Sequence, residues 1–505
     1  MFIVDLENFS TITGSNLTTA NMAKIPSTYS KGKQIMKILM IIYDNDSHIS
    51  YFPLGPAYVA SAIRASGHNV EIYNQDVYHY TENHLVEFLK HNHFDAVGIG
   101  ACGGYYQYGK VKKICDAINT LHENRPVIIL GGHMASADPK YFLNYMQADF
   151  VSIGESEITM VELLNALENI QFSSHSLSFA FDHVDGIAFM RGNEYIETPR
   201  RELIENIDNI LFPAYDLFPM EHYVLYQDAY QKRSDRTMTI LSGRGCIYKC
   251  NFCYRMDKGF RPRSAESILK EITYLQTEYS INHISFIDEL LMSSKERTIN
   301  LCRTFIDSGL QFTWNCAGRL NFATPDVLMW MKKAGCVFIS YGMEAVDDIV
   351  LKNMNKVLTV EQMTRGVEST QAAGIRVGFN FIFGNIGETA DVLEKDVEFL
   401  LKYDDHAQLR TIRPVTPYPG SPLYYYCIEN GLLKDCDDFY KKHVNSDLLT
   451  VNLTNMSDDE YYKTLKNANQ KLLSNYISSL NKQHAKILEE LYDNKNAEFR
   501  GFRQV

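Results

Sequence analysis

Two long series of short apolar runs alternating with helix-length amphipathic stretches occupy most of this chain, and that alternation admits few folds. The first series runs Ile38 to Ile42, Val70 to Tyr73, Ala96 to Ile99, Val127 to Leu130 and Phe150 to Ile153, separated by stretches such as PAYVASAIRASGH and YGKVKKICDAINTL. Five such alternations predict an α/β domain, an open parallel sheet with helices on both faces. Sheets of this kind take ligands beyond the carboxyl ends of their strands, here the loops Pro53 to Pro56, Cys102 to Gly104, Gly131 to His133 and Gly154 to Glu155. In the second series, strands are expected at Thr237 to Leu241, His283 to Ile287, Gln311 to Asn315, Val337 to Ser340, Arg376 to Phe381 and His406 to Arg410. Six βα units predict a partial TIM-like barrel rather than the full eight.

The remaining segments divide the chain further. Residues 1–35 lack periodicity and form an extension; 36–170 are the first domain; 171–235, carrying Pro199, Pro213 and Pro219, read as a linker; 236–425 are the barrel. Residues 426–505 read as helical, with Ser457 and Glu460 spaced as a capping box. The composition, 45% hydrophobic and 22% charged over 505 residues, is that of globular protein. No apolar run is long enough to cross a bilayer, Ile38 to Tyr43 being strand-sized, and the opening residues lack a basic start followed by an apolar stretch. A soluble cytoplasmic protein is expected. A net charge of −12 without a dense Lys/Arg tract disfavours nucleic acid as the main partner. Ten cysteines are too few for a disulfide scaffold in a chain of this length, and three crowd into eight residues, which points to metal in a reducing compartment.

Those three lie in GRGCIYKCNFCYR, as Cys246-x3-Cys250-x2-Cys253. Three thiolates on one tight loop can hold three irons of a cubane and leave the fourth open to a ligand. Zinc is the competing reading, but structural zinc asks for four ligands, usually from two short pairs. Cys302, Cys316, Cys336, Cys427 and Cys436 are scattered and offer no second pair.

CxxxCxxC with an aromatic, Phe252, before the last cysteine resembles the radical SAM superfamily signature. The resemblance implies a 4Fe-4S cluster on Cys246, Cys250 and Cys253, with the amino and carboxylate groups of S-adenosylmethionine on its open iron. It implies cleavage to a 5′-deoxyadenosyl radical by an electron from an external donor such as flavodoxin or ferredoxin, while the protein supplies position and excludes water. The loops after the barrel strands look like the family's in order: Asp288 and Glu289 near the methionyl amino group, Asn315 to Arg319, Gly342 and Glu344 after Ser340 near the ribose, and Gly384, Gly387 and Glu388 near the adenine. Arg413 is expected to face the cavity, and Pro417 to Pro422 to form a rigid turn. The implied S-adenosylmethionine set is Phe252, Asp288, Glu289, Arg319, Ser340, Gly342, Glu344, Gly384 and Arg413.

The first domain resembles the flavodoxin-like cobalamin-binding module found ahead of many radical SAM barrels, through FPLGPAYVASAIRASGHNVEIYNQD, DAVGIGACGG, VIILGGHMAS and DFVSIGESEITMVELL. VDGIAFMRGNEYIETPR followed by LFPAYDLFP looks like that subfamily's connector. The likeness implies cobalamin held by Leu54, Gly55, Cys102, Gly103, Gly131, Gly132, His133, Gly154 and Glu155. Glycines there would let the backbone approach the corrin or its tail, although tight βα turns ask for the same residue. Asp46-Ser47-His48 resembles the start of the Asp-x-His-x-x-Gly motif of cobalamin enzymes whose histidine ligates cobalt, but Tyr51 stands where the glycine belongs. His48 is therefore not expected as the lower ligand, and His133 is expected as a wall of the pocket.

A radical generator joined to a methyl carrier implies methylation of an unactivated carbon, or phosphorus, of a small molecule. The alternative within the same resemblance is oxidative or ring-forming chemistry, as in the anaerobic magnesium-protoporphyrin cyclase. A tRNA methylthiotransferase is the least expected, because the first domain holds only Cys102 and Cys115 and the terminus reads helical.

Overall fold

The computed structural model describes residues 35–46, 51–102, 104–172, 180–227 and 230–499. The first sheet contains β1 (Lys37–Ile42), β2 (Asn69–Asn74), β3 (Ala96–Gly100), β4 (Val127–Gly131), β5 (Phe150–Ser152), β6 (Ile187–Arg191) and β7 (Glu194–Glu197), in the order β2-β1-β3-β4-β5-β6-β7. β1 is KILMII and buries everything after its first residue, as a central parallel strand covered on both faces must. The strand order reverses between β1 and β3, so the crevice opens at their carboxyl ends.

β6 and β7 fall within residues 171–235, the segment that reads as a linker. They lie antiparallel and extend the sheet beyond β5, joined through Gly192 at φ 62°. A Gly-Asn pair between two short alternating segments is a hairpin signal that prolines nearby obscure.

The second sheet holds six parallel strands in the order β15-β14-β13-β12-β11-β8: β8 (Thr237–Ile240), β11 (His283–Phe286), β12 (Thr313–Gly318), β13 (Cys336–Glu344), β14 (Arg376–Phe383) and β15 (Arg413–Pro414). Between β8 and β11 a separate antiparallel hairpin, β9 (Gly243–Cys246) and β10 (Gly259–Pro262), stands off the sheet. β12 starts two residues later than the sequence suggests. The sixth strand is not His406 to Arg410: His406 is left-handed at φ 55°, which breaks an extended run, and Arg410 turns to the Val377 carbonyl at 3.2 Å and to Asp404 and Asp405.

The largest core belongs to the barrel, yet it includes Phe52, Leu54, Ala57 and Tyr58 of the first domain and Tyr215, Phe218 and Tyr223 of the connecting segment. The carboxy-terminal helices divide between the modules. Pro422–Glu429 and Cys436–Lys442 send Tyr424, Cys427, Phe439 and Tyr440 into the first domain's core, with Tyr440 stacked 4.0 Å from Tyr108. Asp458–Leu488 is capped by the Ser457 hydroxyl, which accepts from the Glu460 N–H at 3.3 Å. It lays Tyr461, Leu465, Ala468 and Leu472 on the barrel at helical spacing. Among the described residues no helix is long and apolar enough to cross a membrane.

Candidate active site

The cluster loop starts at the end of β9, where Cys246 pairs with Gly259 of β10. Gly245 has φ 80° and a Cβ there would lie 2.4 Å from the Gly259 carbonyl oxygen, so the hairpin requires glycine immediately before the first thiol. Three neighbouring segments hold the middle of the loop. The Asn251 N–H donates to Met354 O at 2.9 Å, its side chain and that of Asn385 exchange hydrogen bonds at 3.1 and 3.3 Å, and its carbonyl accepts from Leu423 N at 2.8 Å. Asn355 reaches Lys249 O at 2.8 Å.

This frame brings the three thiols within electrostatic range of one another. Among the described residues no three His, Cys, Asp or Glu side chains converge on the seat of a single ion; a cubane asks each thiolate for a separate iron, and three soft donors on one loop suit it. Burial pushes the Cys253 thiol up to about 12, and Glu289 and the other two thiols act in the same sense. Burial raises Cys246 as well. Bound iron must therefore displace protons to form thiolates. Two cations oppose that rise: Arg319 near Cys246 and Lys356 near Cys253.

The implied S-adenosylmethionine residues do not all face the thiols. Glu289 does, and it acts on both Cys246 and Cys253; burial, then Asp288 and Asp257, raises its carboxyl pKa. Asp288 is instead buried and committed to Ser242, accepting from its N–H at 2.8 Å and its hydroxyl at 2.7 Å. Glu344, left-handed at φ 71°, forms a buried ion pair with Lys356 at 2.6 Å. A Cβ on Gly342 would come within 2.4 Å of the Glu344 Oε1. Phe252 lies 5.8 Å beneath the Lys356 ammonium, and Arg319 stacks 3.4 Å over the Tyr248 ring while donating to Lys356 O. Ser340 accepts from Asn380 Nδ2 at 2.9 Å. Gly384 (φ 101°) and Asn385 donate their N–H groups to Glu388 Oε2 at 2.5 and 2.7 Å, which closes the loop after β14. Arg413, expected to face the cavity, is exposed and pairs with Asp447 at 2.9 Å.

On the first domain, Gly55 has open space where a side chain would point, and Leu54 beside it is buried. Gly132 has φ 87°, and a Cβ there would meet the Ala101 carbonyl oxygen at 2.5 Å; Gly131 precedes it at the end of β4. Cys102 is exposed at the end of β3 beside Tyr43. Gly103 and His48 lie outside the described residues. A Cβ on Gly154 (φ 81°) would face Asp257 of the cluster-loop segment at 3.9 Å. His133, whose pKa burial lowers, stands edge-on 6.0 Å from the ring of Tyr254, next in sequence to Cys253. The glycine-edged crevice thus opens toward the cluster loop, as a cofactor shared by both domains requires.

Glu155 also departs from its expected place. Its two oxygens are taken by Arg244 and Arg261 of the hairpin. Those arginines, Lys356, Asp257 and Tyr254 are site residues that the sequence does not single out. Only Arg244 and Tyr254 lie beside the cysteine motif, and nothing local distinguishes Lys356.

Comparison with known proteins agrees with this arrangement. The radical SAM superfamily profile matches residues 240–400, and the B12 binding domain profile matches residues 45–164. The chain is 30% identical over 446 residues to the uncharacterized methyltransferase PH0819 of Pyrococcus horikoshii, covering 86% of this chain and 92% of that one. It is 25% identical over 383 residues to the anaerobic magnesium-protoporphyrin IX monomethyl ester cyclase of Rubrivivax gelatinosus, covering 74% and 65%. The fold resembles that of the radical S-adenosylmethionine methyltransferase TsrM of Kitasatospora setae, solved with cobalamin and a [4Fe-4S] cluster, with a TM-score of 0.63 at 17% identity over 79% of this chain and 75% of that one. With both profiles in order and a relative matched over nearly its whole length, the chain belongs to the cobalamin-dependent radical SAM enzymes, and its cofactors are a 4Fe-4S cluster, S-adenosylmethionine and cobalamin.

Proposed function

We propose that this enzyme methylates an unactivated carbon, or a phosphorus, of a small-molecule substrate held between the two domains. The observation that carries the reading is the contact of His133 with Tyr254, because it brings the crevice of one sheet against the loop bearing Cys246, Cys250 and Cys253. When bound, the cluster with S-adenosylmethionine supplies a 5′-deoxyadenosyl radical, and cobalamin supplies a transferable methyl group. The chain's own residues have three tasks. Cys246, Cys250 and Cys253 hold the cluster, with Arg319 and Lys356 offsetting its negative charge. Glu289, Ser340, Gly342, Phe252 and Gly384 form the walls for S-adenosylmethionine, Glu289 placed for a cationic group. Asp288 and Glu344 act behind them, fixing Ser242 and Lys356. Gly55, Cys102, Gly131, Gly132, His133 and Gly154 border the cobalamin side. A substrate between these walls is held near both reacting groups, which is where orientation contributes most to rate.

The electron comes from an external one-electron donor such as flavodoxin or ferredoxin, in the cytoplasm. The test is anaerobic reconstitution with iron, sulfide and hydroxocobalamin, then incubation with methyl-labelled S-adenosylmethionine and candidate metabolites. A product heavier by one methylene, absent with Cys246→Ala, supports methylation. Loss of hydrogens or gain of oxygen would instead select the oxidative chemistry suggested by the cyclase relative.

A further inference from the structure

Arg244 of β9 and Arg261 of β10 are directly opposed in the hairpin that leads into the cluster loop. Like charges facing each other across two strands destabilise the pairing. Asp257 of the same segment lies 3.5 Å from Arg261, and the closer compensation comes from the other domain. Glu155 Oε1 accepts from Arg244 Nη1 at 2.7 Å and from Arg261 Nη2 at 2.9 Å, while Oε2 accepts from Arg261 Nη1 at 2.8 Å and from the Ile204 N–H at 3.2 Å. The second Arg244 nitrogen reaches Glu157 at 2.6 Å, and its guanidinium lies 5.0 Å over the Tyr58 ring. The side chains of Glu155, Arg244 and Arg261 are all 15% exposed or less. Bidentate bonds of this kind fix orientation as well as distance.

Glu155 directly follows Gly154 on the crevice edge, and Arg244 precedes Cys246 by two residues. We propose that Glu155 is a positioning residue, bridging Arg244 and Arg261 so that the cluster loop is held at a set spacing from the cobalamin edge. This inference rests on the two-cofactor reading above. The step most sensitive to that spacing is transfer of the sulfonium methyl of S-adenosylmethionine to reduced cobalamin. With both cofactors bound, the carbon–sulfur bond would break with the electron pair staying on sulfur, cobalt(I) would supply the pair for the new bond, and S-adenosylhomocysteine would leave. Displacements near 1 Å in such a geometry cost on the order of a hundredfold in rate.

The experiment compares parent, Glu155→Gln and Glu162→Gln proteins, the last breaking the peripheral Glu162–Arg201 pair. Reconstituted proteins receive S-adenosylmethionine and titanium(III) citrate to reduce cobalamin, and S-adenosylhomocysteine is quantified. The reduced cluster's paramagnetic signal, and its change on adding S-adenosylmethionine, reports the barrel alone. In cofactor-free protein, hydrogen exchange is followed at residues 243–246 and 259–261. Glu155→Gln is expected to lower S-adenosylhomocysteine formation roughly tenfold or more and to speed exchange in the hairpin, leaving the cluster signal and its response intact. Glu162→Gln should match the parent in all three. Parental rate and hairpin protection in Glu155→Gln would overturn the inference, as would loss of the cluster's response together with the rate. Should Glu155→Gln fail to fold, Arg261→Lys keeps the charge, gives up the two-pronged bond and carries the same expectations. A parent that forms no S-adenosylhomocysteine would instead sink the proposed function.

Discussion

Replacing Lys356 with methionine should destabilise the barrel by about 3–4 kcal/mol at neutral pH, and the value can be reached from two directions. Lys356 Nζ lies 2.6 Å from Glu344 Oε1, with side chains 9% and 8% exposed. Their Coulomb attraction at an effective dielectric near 20 is about 6 kcal/mol before desolvation is charged against it. Removing one partner of a buried pair typically costs about 3–5 kcal/mol, because the other charge is stranded. The stranded carboxylate can escape by taking a proton, and holding that proton at pH 7 against an ordinary value near 4.3 costs roughly 3.7 kcal/mol, which caps the penalty. The sign with pH follows. In the variant Glu344 has a folded pKa raised above its unfolded one, so the stability it contributes is intact below about pH 4 and is lost as pH rises. The penalty should fade on acidification. Both tryptophans, Trp314 and Trp330, lie in the barrel, so denaturant unfolding followed by their fluorescence reports that module separately. Glu344→Gln combined with Lys356→Met should recover most of the loss. A single-variant shift under about 1 kcal/mol, or a penalty that grows on acidification, would refute the reasoning.

Tyr461→Phe removes the donor to the buried Phe383 carbonyl at 2.7 Å and should lower barrel stability by about 1–3 kcal/mol by the same fluorescence assay. Gly132→Ala forces a left-handed alanine into the Ala101 carbonyl; bound cobalamin per chain should fall after reconstitution while the cluster's absorbance stays at the parent level. Burial, then Asp396, holds the Glu388 carboxyl well above the usual range. Its stabilising contribution is full below about pH 4.3 and declines as pH rises, so the melting temperature of the parent should fall relative to Glu388→Gln between pH 5 and 8.

The elements whose signal is local were legible. The apolar runs of β1, β3, β4 and β5 and the start of β8 register where periodicity puts them, because a strand buried on both faces has little latitude in composition. Cys246, Cys250 and Cys253 were legible for the same reason, as one loop carries all three. What escaped depends on distant partners. Glu155 meets Arg244 across 89 positions and Arg261 across 106, and nothing near Gly154 distinguishes a carboxylate facing a corrin from one facing two guanidiniums. Lys356 is an unremarkable loop lysine until Glu344 is found beside it. β15 has only two residues, too few for a periodic pattern, so the alternating segment ahead of it, with Ala407 and Leu409 between polar residues, attracted the assignment.

The two modules share more than a linker, and this bears on how a substrate is reached. Phe52 at the mouth of the first sheet packs 5.0 Å from Tyr215 and 4.9 Å from Phe218, inside the core that also holds β8 and β11. On another side, a Cβ on Gly420 (φ 87°) of the turn after β15 would meet the Ala137 side chain of the first domain at 3.4 Å. Between these seams stands the Glu155 bridge. Opening the crevice like a hinge would break a buried aromatic cluster and a desolvated ion pair together, both expensive disruptions for a protein. The spacing of the Gly154 edge from the hairpin that leads into the cluster loop is therefore tied to the folding of both modules.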